Sequence, residues 1–164
     1  MMNIGLLVRE LVRDEGLRLS PYRCTAGKLT TGVGRNLDGN PLTAEELGCI
    51  GHDGRSKPIT KEQAHYLLVN DIYKVSNDLD RSLPWWQDLD DTRKRVLANM
   101  CFNMGIGTLL TFKNTLHLIH TARYFEASKA MLRSKWASQV GARAGRLAKL
   151  MAEGGTNDNT ASVT

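Results

Sequence analysis

The stretch best equipped for chemistry is Glu15-Gly16-Leu17-Arg18-Leu19-Ser20-Pro21-Tyr22-Arg23-Cys24-Thr25-Ala26-Gly27-Lys28-Leu29-Thr30-Thr31-Gly32-Val33-Gly34-Arg35, which holds one carboxylate and one thiol among several hydroxyls and cations. Glu15 comes first. The spacing of the preceding residues places it at the C-terminal end of a helix, where the negative end of the dipole disfavours a further negative charge. Apolar neighbours would raise its pKa further by desolvation. A carboxylic acid kept protonated near neutral pH can give its proton to a glycosidic oxygen. The competing reading of Asp14-Glu15 is a solvated pair of acids at a helix end.

Other chemistries are less well served. The three cysteines, Cys24, Cys49 and Cys101, have no CxxC spacing and are odd in number, which reads as free thiols rather than a disulfide framework. The four histidines are scattered; His117 and His120 share helical spacing, but no neighbouring Cys, Asp or Glu completes a ligand set. No metal and no cofactor is therefore expected. The net charge of +5 is uneven, because Lys113 to Lys149 carries eight basic residues against one acid. A basic face attracts anionic partners, with a solvated helix surface as the plain alternative. Nucleic acid is not the expected partner: a recognition helix would be rich in Arg, Asn and Gln, and residues 136–150 offer little beyond spaced Arg and Lys.

The elements that must position Glu15 follow from periodicity. Ile4, Leu7, Val8, Leu11 and Val12 recur at helical spacing, and Gly16 supplies a stop. Residues 17–35, broken by Gly27, Gly32 and Gly34, read as short strands joined by tight turns. Thr43 with Glu46, and Thr60 with Gln63, form two capping boxes, the second opening a long helix over 60–80. Pro84 marks a break by about residue 82. Asp90-Asp91 opens a third helix, which Gly105-Ile106-Gly107 is predicted to end. Three or more short helices follow, to about residue 152. Residues 156–164 lack periodicity and are expected to be a disordered tail. Strands segregated from helices predict an α+β fold. No run of about 18 apolar residues predicts a membrane span, and the first ten residues carry charges too early for a signal segment, so cytoplasmic synthesis is expected.

The reactive stretch also resembles a known signature. Glu15-Gly16-Leu17-Arg18-Leu19, Cys24 after eight intervening residues, Thr30 after five more and then Thr31-Gly32-Val33-Gly34 are similar to the active-site pattern of the phage-type lysozymes. Pro58-Ile59-Thr60-Lys61-Glu62-Gln63-Ala64, Asn99-Met100-Cys101-Phe102-Asn103-Met104-Gly105, Phe112-Lys113-Asn114-Thr115-Leu116 and Ser134-Lys135-Trp136 continue it in order. The resemblance runs from residue 3 to about residue 153. It implies a lysozyme-like two-lobed fold: a small β-containing N-terminal lobe and a helical C-terminal lobe joined by a long helix, with the sugar chain in a cleft. On that reading residues 1–155 are one catalytic domain, with 15–59 the β lobe, 60–80 the connecting helix, and 81–155 the helical lobe on which residues 1–14 pack.

The family pattern assigns the acid to Glu15 and a water-positioning hydroxyl to Thr30. Its second carboxylate falls on Cys24. A neutral thiol stabilises an oxocarbenium-like transition state poorly, whereas a thiolate could do so or could deprotonate water; the alternative is that Cys24 only packs. Arg18 or Arg23 would supply a positive field. Phe102, Asn103, Thr115 and Lys135 match substrate-binding positions, and Ala130 replaces a substrate-binding asparagine. Phe102 reads equally as a core aromatic. Arg35 and Asp71 match a structural ion pair. The implied function is a muramidase that cuts the β-1,4 bond of peptidoglycan glycan and lyses a bacterial host. It is expected to be a monomer without stable membrane association, held in the host cytoplasm until a holin-type factor lets it reach the wall. The rivals are a lytic transglycosylase using Glu15 alone and a non-catalytic wall-binding module.

Overall fold

Amphipathic spacing sets the first helix, and glycine-punctuated runs set the strands after it. In the computed structural model, residues 2–155 are described. Helix α1 (Ile4–Glu15) leads into strands β1 (Arg18–Arg23), β2 (Leu29–Gly32) and β3 (Arg35–Asn36). Helices α2 (Ala44–Ile50), α3 (Lys61–Ser82), α4 (Asp91–Leu109), α5 (Lys113–His120), α6 (Tyr124–Leu132), α7 (Lys135–Val140) and α8 (Ala142–Glu153) follow, with a 3₁₀ turn at Pro84–Asp88 ahead of α4. The fold is α+β, with its strands confined to the N-terminal part. The expected tail, 156–164, lies outside the described residues. The described residues divide into two compact units: Gly5–Tyr73, and residues 2–4 with 74–155. Helix α1 passes directly into β1, and Gly34 packs on Glu15.

In the first unit, α1 buries Leu7 and Leu11, which are one turn apart. The Gly16 amide closes the helix on the Val12 carbonyl at 2.9 Å. The sheet is antiparallel in the order β1-β2-β3. Tyr22 faces Thr30 and Arg23 faces Leu29, with a bulge between Arg18 and Tyr22; on the other edge Thr31 faces Arg35. Both capping boxes form. The Glu46 amide donates to the Thr43 hydroxyl at 3.1 Å while the Glu46 carboxylate accepts from the Thr43 amide at 2.9 Å. Thr60 and Gln63 repeat the exchange at the head of α3. A small core of Ile50, Ile59, Ala64 and Leu67, flanked by Leu19, Leu42 and Tyr66, joins the sheet to α2 and α3.

In the second unit, α4 is buried on every side from Lys94 to Cys101, as suits a central helix; Val96, Leu97, Ala98 and Met100 have no exposed surface. Helix α8 packs on α4, α6 and α7 and buries Leu147, Ala148 and Met151. Arg93 fastens α4 to the end of α8: its Nε donates to the Met151 carbonyl at 2.7 Å, and its guanidinium lies 3.5 Å from the Tyr124 ring centroid. Arg143 reaches from α8 to Asn99 Oδ1 with two donors, at 2.8 and 3.0 Å. Gly105 does not end α4 as its sequence suggests. It takes a non-helical conformation (φ 82°, ψ 157°), and helical bonding resumes to Leu109, so the glycine makes a kink rather than a stop.

Candidate active site

Glu15 is the last residue of α1 and is half-buried. Its carboxylate lies against the turn between β2 and β3. A Cβ placed on Gly34 would sit 2.8 Å from Glu15 Oε2 and 3.1 Å from its Cδ, closer than side chains tolerate. Gly34 also has φ +64°, a left-handed conformation that favours glycine. Backbone shape and lack of a side chain thus both let the turn close over the carboxylate. Val33 beside it is buried at 4% exposure. The wall that bounds Glu15 is therefore peptide backbone and not only side chain.

Cys24 stands at the end of β1, where the chain turns back toward β2. Its amide donates to the Lys28 carbonyl at 3.0 Å, and its own carbonyl accepts from the Gly27 amide at 2.8 Å. These bonds hold a half-buried thiol in a fixed turn. The Lys28 N–H hydrogen-bonded to the sulfur draws the thiol below its ordinary pKa; partial burial opposes this, and the Ala26 N–H and the Thr30 hydroxyl add to it. Thr30 is buried at 3% exposure, and its hydroxyl donates to the Lys28 carbonyl at 2.9 Å. The hairpin thus brings Cys24 and Thr30 into side-chain contact across adjacent strands.

Tyr22, not singled out in the sequence, joins the two halves. It pairs with Thr30 across the ladder, and the Arg18 guanidinium lies 3.8 Å from its ring centroid. Burial raises its phenol pKa, Arg18 lowers it, and the charges of Glu15 and Cys24 raise it. Tyr22 is therefore within electrostatic reach of both groups. Of the two candidate sources of positive field, Arg18 stacks on Tyr22, whereas Arg23 turns to the Gly27 carbonyl at 3.0 Å and toward Asp38.

Arg35 fixes the far edge of the sheet. It is 3% exposed and lies 3.1 Å from Asp71 Oδ1. It also makes two parallel bonds to Glu46, Nη2 to Oε1 at 2.7 Å and Nη1 to Oε2 at 3.1 Å. Its Nε donates to the Asn40 carbonyl at 2.8 Å. Sequence reading missed Glu46 because its capping role already explained it. Burial alone would raise the Glu46 carboxyl, but Arg35, Asn70 and the Thr43 amide outweigh it and hold the group at about 2. One carboxylate thus both caps α2 and neutralises a buried arginine.

The remaining candidates belong to the second unit. Phe102 is half-buried on α4. Asn103 is exposed, and its Oδ1 accepts from Trp136 Nε1 at 2.8 Å. Trp136 in turn meets the edge of Phe112, with centroids 6.5 Å apart. Thr115 is buried at 6% exposure on α5. Lys135 is exposed and opens α7, whose cap Ser134 accepts from the Ala137 amide at 3.2 Å. Trp136, unassigned from sequence, is what orients Asn103. Cys49 and Cys101 are also free thiols, and burial pushes Cys101 up to about 12. Among the described residues, no three His, Cys, Asp or Glu side chains form a metal-holding group, and no helix is long and apolar enough to cross a membrane.

The first unit thus sets a helix-end acid, walled by a glycine turn, on the same small sheet as a hairpin carrying a thiol and a hydroxyl. Comparison with known proteins gives the family. The phage lysozyme family model matches residues 12–152. Probable T4-type lysozyme 1 of Dictyostelium discoideum is 31% identical, over 88% of this chain and 92% of its own length. An endolysin of Acyrthosiphon pisum secondary endosymbiont phage 1 is 30% identical, over 76% of this chain and 72% of its own. The pre-baseplate central spike protein Gp5 of Enterobacteria phage T4 is 30% identical over 88% of this chain, which spans 27% of that longer protein. The chain belongs to the phage lysozyme family. Its fold is lysozyme-like, and its activity class is that of a lysozyme-type glycoside hydrolase of the cell wall.

Proposed function

We propose that the protein is a phage endolysin: a muramidase that hydrolyses the β-1,4 bond between N-acetylmuramic acid and N-acetylglucosamine in peptidoglycan and so lyses the bacterial host. The observation that carries this reading is the juxtaposition of Glu15 under the Gly34 turn with the Cys24–Thr30 pair, linked through Tyr22. Glu15 as a carboxylic acid gives its proton to the glycosidic oxygen as the bond to the anomeric carbon breaks. The Thr30 hydroxyl orients a water toward that carbon. Cys24, as thiolate, faces the positive charge developing on the sugar and accepts the proton the water sheds. The chemistry uses side chains alone, with no cofactor. Phe102, Asn103, Thr115 and Lys135 bind the glycan in this scheme. The enzyme works as a monomer, without stable membrane association, and reaches the wall once a holin-type factor opens the host membrane.

Digestion of purified peptidoglycan followed by mass spectrometry tests the reading. Reducing muramic ends are expected, and Glu15→Gln, with an unchanged circular dichroism spectrum, is expected to yield none. Anhydro-muramic ends would replace the hydrolytic reading with a transglycosylase one, in which the substrate's own 6-hydroxyl takes the place of water. The thiol at position 24 is the specific feature favouring that second reading. No cleavage by the parent chain would leave only a wall-binding role.

A further inference from the structure

Strand β1 lies at the edge of the sheet and does not run straight. Between the pairs Arg18–Gly32 and Tyr22–Thr30, three of its residues, Leu19, Ser20 and Pro21, stand against the single Thr31 of β2. Proline has no N–H to give a ladder and is tolerated at a bulge on an edge strand. The bulge is tied down from outside the sheet: the Ile59 amide donates to the Leu19 carbonyl at 2.9 Å, and Leu19 packs against the small core around Ile59. Residues four apart on a flat strand stand about 13 Å apart. The bulge shortens that path, and the guanidinium of the exposed Arg18 comes to lie 3.8 Å from the Tyr22 ring centroid. Bulges beside working residues commonly re-aim a side chain in this way.

Tyr22 stands opposite Thr30 in the ladder and two residues before Cys24, so strand alternation puts ring, hydroxyl and thiol on one face of the hairpin. Thr30 has a single hydroxyl proton. It goes to the Lys28 carbonyl at 2.9 Å, and the same hydroxyl is hydrogen-bonded to the Cys24 sulfur. As the sulfur ionises, that proton can swing to it, so the side-chain angle of Thr30 decides how well the thiolate is held. A ring across the ladder limits that angle. Tyr22 brings no charge of its own: burial raises its phenol, Arg18 opposes this, and the charges of Glu15 and Cys24 raise it further. The other cations near the thiol are otherwise engaged. Arg23 turns to the Gly27 carbonyl and toward Asp38, and Lys28 meets the sulfur through its amide.

We propose that Arg18 and Tyr22 are positioning residues for the Cys24–Thr30 pair: the guanidinium pins the ring, and the ring keeps hydroxyl and sulfur in register. This rests on the reading of Cys24 and Thr30 as working groups. Arg18 then acts through Tyr22, and the bulge at Leu19-Ser20-Pro21 exists to bring the two together.

The test reads the thiol and the turnover separately. Cys24 alkylation by iodoacetamide is followed by peptide mapping across pH, and kcat and KM are measured on purified peptidoglycan. Circular dichroism and Tm check the fold of each variant. An exposed cation–π stack is worth a factor of about two to five. Arg18→Met keeps a long side chain without charge. It is expected to move the midpoint of Cys24 alkylation up by about 0.3–0.7 pH unit and to lower kcat about two- to fivefold, with KM unchanged. Tyr22→Leu should do at least as much. Arg18→Lys and Tyr22→Phe keep a cation over an aromatic ring and should recover both readouts. A raised KM at parental kcat in Arg18→Met would make Arg18 a substrate contact and overturn the proposal. So would an unmoved midpoint in that variant, or a loss in Tyr22→Phe equal to that in Tyr22→Leu. If the parent turns over no glycan, or Cys24→Ala keeps parental kcat, the catalytic reading of the thiol fails by itself. The alkylation midpoints still decide whether Arg18 and Tyr22 hold the sulfur in place.

Discussion

Replacing Arg35 with alanine removes the cation shared by two buried carboxylates, Glu46 at 2% and Asp71 at 9% exposure. Breaking one side of a buried ion pair costs about 3–5 kcal/mol, because the partner charge stays desolvated and unpaired. The acid side of the pair gives an independent figure. Glu46 is held at about 2 against an ordinary 4.5. At 1.36 kcal/mol per unit, that separation contributes about 3 kcal/mol. Because the folded pKa lies below the unfolded one, this stability is present above pH about 4.5 and is lost as pH falls toward about 2. For a chain of this size, 1 kcal/mol moves Tm by about 2–4 °C, so Arg35→Ala should melt about 6–20 °C lower at pH 7. Without the guanidinium, burial raises the Glu46 carboxyl, and the variant's penalty is relieved as acid protonates it. Melting followed by circular dichroism between pH 3 and pH 7 should therefore show the two proteins converging at the acid end. A Tm difference at pH 7 of less than about 3 °C, or one of equal size at pH 3, would refute the reasoning.

Other expectations concern the site itself. Glu15→Gln should reduce kcat by about 10²–10⁴-fold without lowering Tm, measured on purified peptidoglycan; more than a tenth of parental activity would remove the acid role. Gly34→Ala should lower stability by about 1–2 kcal/mol from its positive φ and also lower kcat by displacing the Glu15 carboxylate; a variant with full kcat would show that the close approach is unimportant. Iodoacetamide at neutral pH should label Cys24 ahead of the buried Cys101, by peptide mapping, and the loss of activity should track that label. Cys24→Asp should stay active and shift the low-pH limb of the kcat profile to lower pH, since a carboxylate ionises below even a lowered thiol, whereas Cys24→Ser should lose activity; a Cys24→Ala enzyme with parental kcat would reduce the thiol to packing.

What could be read from the sequence was local. Helix α1, both capping boxes and the break before Pro84 follow from patterns within a few residues, and each appears where its pattern lies. Long-range partners were less legible. Arg35 with Asp71 came only through resemblance, and Glu46 escaped because a capping glutamate already has an explanation; nothing in Thr43-Ala44-Glu45-Glu46 signals that the same carboxylate meets an arginine eleven residues back. Gly105 misled for a related reason. A glycine is a reliable stop only where no packing recaptures the helix beyond it, and Leu109 is fully buried. Tyr22 and Trp136 lay in quoted motifs without a role, since the facing of Tyr22 on Thr30 and of Trp136 on Asn103 exists only once strands and helices are assembled.

The first unit also separates what must be stiff from what must be reachable. The Cys24 thiol lies on a hairpin turn, half-exposed, held locally by two backbone bonds and by Thr30. The β1–β2 hairpin that carries this turn would be loose on its own, for an isolated hairpin is marginal in water, and the third strand adds only two residues. The buried Arg35 network lies at the opposite edge of the same sheet, bonded to α2 through Glu46 and to α3 through Asp71. Thr31, paired with Arg35, is the immediate neighbour of Thr30. The anchored residue and the hydroxyl proposed to orient the water are thus one peptide apart. Rigidity gained where water is excluded is passed along the backbone to where substrate must enter, and an Arg35 variant that still folds should loosen the Thr30–Cys24 geometry before it unfolds the unit.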